Sequence, residues 1–207
     1  MSETQQIDFT MMYVTHDALR RDVQRLAAAI ATGRAGSSSV QAGWANFKAQ
    51  LHVHHTVEDD DLWPRLYRAI GDDPGRLAML QEMEDEHAVL DPLLEALDAA
   101  LAGGDDAVLA RRVDELAGVL DGHLKHEESS ALPLIQEVLE PADWRGFGAA
   151  MRRKQGLKGA AMYVPWIVDG ASAETRARFF SALPGPLRIV NQLVFEPRYR
   201  RLGLWAA

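Results

Sequence analysis

The sequence predicts an all-α fold, an antiparallel four-helix bundle with a C-terminal helical extension. Three observations predict it. Four apolar stripes recur at spacings of three and four, the signature of one helix face. Gly, Asp, Ser and Pro clusters separate the stripes at short intervals. No window sustains the alternation of a strand.

The first stripe is Met12, His16, Leu19, Val23, Leu26 and Ile30, ended by Gly33 and the Gly36-Ser37-Ser38-Ser39 stretch, where a serine caps the next helix. The second is Trp44, Phe47, Leu51, His54, Glu58 and Leu62, closed by Pro64. Gly71-Asp72-Asp73-Pro74 supplies a turn, a cap and a first-turn proline. The third stripe runs Leu80, Met83, His87, Leu90, Leu94, Leu97, Leu101, with Pro92 expected to kink the helix or restart it. Gly103-Gly104-Asp105 breaks and recaps the chain before the fourth stripe, Leu109, Val113, Leu116, Leu120, His123, Glu127. Helices joined by short loops pack antiparallel with their neighbours. The expected division is a metal-binding bundle over 1–141 and a basic, aromatic-rich extension over 142–207 packed on it.

Charge marks the same boundary. Residues 1–141 carry 11 basic and 26 acidic side chains and residues 142–207 carry 11 and 4, which sum to the chain's 22 and 30. In the simplest reading the basic tail lies against its own acidic body; an acidic partner or an anionic ligand is the alternative. The net charge of −8 over 207 residues argues against nucleic acid or an anionic membrane as partner. With no cysteine, disulfides, thiolate zinc sites, iron–sulfur clusters and thiol nucleophiles are excluded. The N-terminal MSETQQIDF lacks the basic and apolar regions of a secretory signal, so the expected location is the cytoplasm. No G-x-S-x-G or glycine-rich phosphate loop is present.

Chemistry enters through polar residues at interior positions. Each stripe carries a histidine, and two stripes add a glutamate one turn later. A buried ionised carboxylate costs several kcal/mol unless paired or bound to metal. His54-x-x-x-Glu58 and His123-x-x-x-Glu127 each stack a histidine and a carboxylate on one face. The segments HHTVEDDDLWP and HLKHEESSALP place His, Glu and Pro at identical offsets. His16 precedes His54 by 38 residues and His87 precedes His123 by 36. Two similar helix pairs related by a pseudo-twofold axis would bring His16, His54, Glu58, His87, His123 and Glu127 to one cavity. Nitrogen and carboxylate donors without thiolate suit iron, manganese or zinc. Shared between two metals, with both glutamates bridging, they leave open positions for O2, peroxide, nitric oxide or small anions.

Over roughly residues 8–140 the sequence resembles the hemerythrin-like (HHE cation-binding) family. The resemblance rests on His16, His54-x-x-x-Glu58-x-x-x-Leu62-Trp63-Pro64, Glu86-His87 and His123-Leu124-x-x-Glu127-Glu128. It implies a four-helix bundle with two non-haem, carboxylate-bridged iron ions. Members bind O2, sense oxygen or redox state, handle nitric oxide or peroxide, or serve iron-centre repair. Two departures bear on function. Oxygen carriers place a fifth histidine where this chain has Asp91, and their last carboxylate would select Glu128, whereas the internal repeat favours Glu127. The resemblance therefore implies the four-His, two-Glu members, linked to nitric oxide, peroxide or iron chemistry. Asp91 either fills the position or leaves it to water.

Among neighbouring residues, His126 is expected at the surface although within reach of the site, and His52 and His55 at the surface, off the His54 face. Glu86 is expected as an exposed charge, with a contact to a ligand histidine as the alternative. Tyr13 is expected either in the core or hydrogen-bonded to a bound ligand. The leading expectation is a di-iron protein that binds or reduces a small oxidant. The alternatives are an oxidase, oxygenase or catalase-like enzyme whose substrate pocket is walled by the extension, and a metal- or redox-dependent interaction module.

Overall fold

The structure, a computed structural model, describes residues 6–206; residues 1–5, part of the stretch read for a targeting signal, and residue 207 lie outside it. Helix α1 (Thr10–Ala31) buries the whole first stripe. The Ser37 hydroxyl accepts the Val40 amide and starts α2 (Ser38–Val57). The chain then passes through a π-helical turn (Glu58–Leu62) into α3 (Trp63–Ile70). Asp73 caps α4 (Pro74–Gly103) through the amides of Gly75 and Arg76. Asp105 likewise caps α5 (Asp106–His126). A second π turn (Glu127–Ala131) leads into α6 (Leu132–Val138). The rest forms α7 (Pro141–Ile167), α8 (Ala173–Ala182), α9 (Gly185–Val190), a third π turn (Asn191–Phe195) and α10 (Glu196–Leu202). The described residues contain no strand and no helix long and apolar enough to cross a membrane.

Two proline expectations are corrected. Of the two outcomes expected at Pro92, the restart does not occur: α4 runs through it. Pro64 does not close the second helix; it sits in the first turn of α3, after the π turn. A proline inside an α-helix clashes with the carbonyl four residues back and cannot donate a hydrogen bond. Widening the preceding turn to i→i+5 bonding relieves both, and the amides of Trp63 and Leu132 reach back to the carbonyls of Glu58 and Glu127. Pro64, Pro133 and Pro197 stand at the same offset from the first residue of their π turns, and those residues (Glu58, Glu127 and Asn191) are all buried.

Around the bundle, α1 packs on α2 and α5, α5 on α4, and α3 on α4. The core is split. One apolar cluster holds Leu19, Phe47, Leu51, Leu90 and Leu120; the other holds Met12, Leu62, Met83 and Ala131. On every helix the histidine lies between a residue of one cluster and a residue of the other, so the polar side chains form a layer across the middle.

The C-terminal helices lie against this bundle, with α7 on α1 and α2 and α8 on α1. Buried Asp22 joins them: its carboxylate accepts from the Trp166 indole at 2.7 Å and from Arg21, whose guanidinium also donates to the carbonyls of Trp166 and Asp169. Arg25 reaches the Asp169 carboxylate at 2.7 Å. In these contacts the cations come from the acidic body and the tail supplies the acid Asp169, while the Arg153 charge acts on the Asp61 carboxylate as the charge expectation has it. Among the described residues the tail cation paired with a body acid is Lys154, 3.9 Å from Asp60. Trp205 returns to α2, where its indole lies so close to Gly43 that no Cβ would fit there.

Candidate metal centre

Helical period puts His16 on α1, His54 on α2, His87 on α4 and His123 on α5 at one level of the bundle, and the π turns begin at Glu58 and Glu127. All six side chains are buried. The structure brings all six together: five fall, with His55, into two groups, and Glu58 lies between them. His16, His54 and Glu127 form one; His55, His87 and His123 form the other, with ligand-type atoms within 4.8 Å of one another in each.

In the first group the Nε2 atoms of His16 and His54 are 3.2 Å apart, and His16 Nε2 is 3.1 Å from Glu127 Oε2. In the second the Nε2 atoms of His87 and His123 are 3.2 Å apart. Glu58 lies between. Its Oε1 is 3.2 Å from His54 Nε2, and its Oε2 is 3.7 Å from His87 Nε2. None of the four oxygens of Glu58 and Glu127 makes a hydrogen bond, and neither does the buried His55 Nε2. Unpartnered carboxylates at this depth are costly.

The outer ring nitrogens are held by carboxylates. Nδ1 of His16 is 2.8 Å from Glu128 Oε1, which also takes a hydrogen bond from Arg20. Nδ1 of His87 is 2.8 Å from Asp59, and Nδ1 of His123 is 2.9 Å from Glu86. An ionised carboxylate only accepts, so each Nδ1 carries the proton and each Nε2 is turned inward as the donor atom.

Burial lowers the pKa of His54 to about 3, helped by the charge of His16, and lowers His55 and His123 as well. For His16, burial acts downward but the Glu127 and Glu128 carboxylates outweigh it, raising the value to about 9. Burial pushes Glu58 well above the usual carboxylate range, with the Glu127 charge adding to it. Burial acts upward on Glu127 too, but His16 prevails and holds it at about 2.

Several expectations are corrected. His55 is not a surface residue: its ring stacks on His87 with centroids 4.0 Å apart, and it supplies the third imidazole of the second group. The reason lies in packing. His54 faces His16 on one side of α2 and His55 faces His87 on the other, so a 100° step around α2 moves between groups rather than out of the site. Glu86 is not a free exposed charge, since it also holds His126 at 2.8 Å. His126 joins neither group. Tyr13 is 45% exposed, so it is neither core nor inward-facing. Glu127, not Glu128, turns inward. Asp91 is exposed on the rim of a polar cleft, and His52 is exposed as expected. Helical period places His55 about 100° from His54 and His52 on the opposite face, but nothing in the sequence marks the His55 position as one that faces His87. The Glu86-His87 dipeptide was visible, but Glu86 belongs to His123 across the bundle.

Two cavities approach the layer. A polar cleft of about 410 Å³ opens from the surface to His55 and His87 past Asp59 and Asp91. An apolar cavity of about 530 Å³ lies between α1 and the C-terminal helices and ends on His54.

The residues fit a pair of metal ions. Donor atoms about 2.1 Å from one ion lie about 3.0–3.4 Å apart at right-angle to tetrahedral directions, and the inward Nε2 and carboxylate contacts of 3.1–3.2 Å match that spacing. The oxygens of Glu58, which make no hydrogen bond, are atoms that metal would satisfy, and Glu127 would exchange its pairing with His16 for metal.

A family model described as Hemerythrin HHE cation binding domain matches residues 8–135. No curated protein and no solved structure matches the chain.

Proposed function

We propose, for a chain that belongs to the hemerythrin HHE cation-binding family, that the polar layer holds two non-haem iron ions and that the protein binds or reduces a small oxidant (O2, peroxide or nitric oxide). The observation that carries this reading is Glu58, whose two unpartnered oxygens face the two histidine groups separately, at 3.2 Å from His54 and 3.7 Å from His87. His16, His54 and Glu127 would hold one ion, and His55, His87 and His123 the other, with Glu58 between them. Bound iron supplies electron transfer to the oxidant. Imidazole and carboxylate donors also accept manganese and zinc; the redox role sets zinc aside, and the family match favours iron.

The chain's own groups do the rest. Glu128, Asp59 and Glu86 fix the ring orientation and tautomer of His16, His87 and His123. The apolar clusters above and below the layer exclude water, which strengthens each electrostatic contact inside. The polar cleft past Asp91 gives a small, hydrophilic oxidant a route to the His55 side.

The test is protein purified aerobically from iron-supplemented cells, with metals counted per chain and the near-ultraviolet spectrum recorded with and without azide. About two irons per chain, with bands that azide shifts, are expected for a carboxylate-bridged pair with an open position. One zinc per chain, or no metal in a folded protein, overturns the reading.

A further inference from the structure

The apolar cavity between bundle and extension belongs to no part of the metal layer except where it ends, on His54. At about 530 Å³ it lies in the range of small-molecule sites. Met12 and His54 form its inner end, while Phe147, Met151 and Val164 wall it from α7. The polar atoms inside are spent on each other: the Thr15 hydroxyl donates to the Met11 carbonyl and receives the Tyr163 hydroxyl at 2.7 Å. That leaves apolar surface for a ligand.

The outer end is different. Arg152 and Arg153 line it, both exposed; among the described residues neither has a carboxylate within 4 Å, although the Arg153 charge acts on Asp61. Gly156, also on the wall, breaks α7 with φ +61° and ψ −177°, a non-helical conformation that kinks the helix. Beside it Leu157 is 92% exposed, an apolar side chain held in water at the mouth. The outer wall, from Trp144 onward, lies beyond residues 8–135, so the cavity is a feature of this chain's extension rather than of the matched region.

We propose that this cavity binds an elongated apolar molecule with one anionic end, of the medium-chain carboxylate class. Its tail lies against Met12 and His54 and its carboxylate is taken by Arg152 and Arg153. The assignment deepens the proposed function, and rests on it, in making this molecule one whose apolar end is presented to the His54 side of the metal layer; the binding itself requires no metal.

The experiment uses decanoate and decanol as probes of the full chain, metal-free and iron-loaded, read by calorimetry and tryptophan fluorescence. Decanoate is expected to bind one per chain in both forms. Ala160→Trp, which fills the cavity, is expected to weaken it about tenfold or more, with Met151→Trp as a second filling variant. The surface pair Arg152→Ala/Arg153→Ala is expected to weaken decanoate about three- to tenfold and leave decanol unchanged. No binding by the wild type, or undiminished binding by a folded filling variant, overturns the site. Equal losses for decanol and decanoate overturn the anionic end. Decanoate binding without two-iron loading would defeat only the metal reading, and two-iron loading without decanoate binding only the cavity.

Discussion

The two histidine groups stand side by side in one layer yet are built differently. The His16 group includes a carboxylate, is fully buried and lies at the inner end of an apolar cavity. The His55 group is three imidazoles reached from a polar cleft. Their protons differ accordingly. Glu127 and Glu128 hold His16 protonated near neutral pH in the metal-free protein, whereas burial, without such a counter-charge, leaves His55 neutral. An internal repeat in sequence therefore does not make two equivalent sites. What each helix meets across the bundle decides the chemistry of its histidine.

The sharpest way to break this comparison is to remove what the groups share. Glu58→Ala is expected to lower iron from about two per chain to one or none, since each Glu58 oxygen faces a different group. Retention of two irons in that variant would falsify the shared-carboxylate arrangement. Next comes His55→Phe, expected to lose about one iron and keep the other, because His55 contributes to one group alone. Metal counting on the purified variant decides it, and an unchanged count removes His55 from the site.

A smaller effect is expected outside the ring of donors. Glu86→Gln leaves His123 in place but weakens its Nδ1 partner, and metal affinity is expected to fall about 10- to 100-fold by competition with a chelator. Undiminished affinity would leave Glu86 a surface residue after all.

Protons give the smallest effect and separate the groups. At pH 7.5 His16, with its value near 9, must surrender a proton to become a ligand, while His55 and His123, lowered by burial, surrender none. Zinc titration in weak buffer with an indicator dye should release protons from His16 and from Glu58, whose carboxyl burial raises well above the usual range, and affinity at the His16 group should climb with pH until about pH 9. Without metal the sign reverses: the raised value means His16 stabilises the fold fully below pH 6.5 and loses that contribution as pH rises through about 9. Zinc binding without proton release would sink the charge assignment.

The bundle and the inward positions of His16, His54, Glu58, His87, His123 and Glu127 were legible in the sequence. The 3.6-residue period is local, so a chain states which residues share a helix face before it folds. The choice of Glu127 over Glu128 was legible in the repeat, with Pro133 marking the turn that rotates it. His55 and Asp59 were not legible, and the contact of Glu86 with a ligand histidine only as an alternative, because their roles depend on a neighbouring helix. The free arginines of the tail were visible only as net charge until the ion pairs of Asp22, Asp143 and Asp169 showed which charges were already taken.

By itself, then, the sequence determined four amphipathic helices, a polar layer across an apolar core and a donor set suited to metal. The tertiary structure alone decided that the layer divides into two groups, that α2 serves both through adjacent histidines, and that the extension leaves a cavity against one of them. The physical reason is range. Helical period and capping act over a few residues of one chain segment, while the grouping of donor atoms depends on which surfaces meet, and burial of the apolar faces sets that for the molecule as a whole.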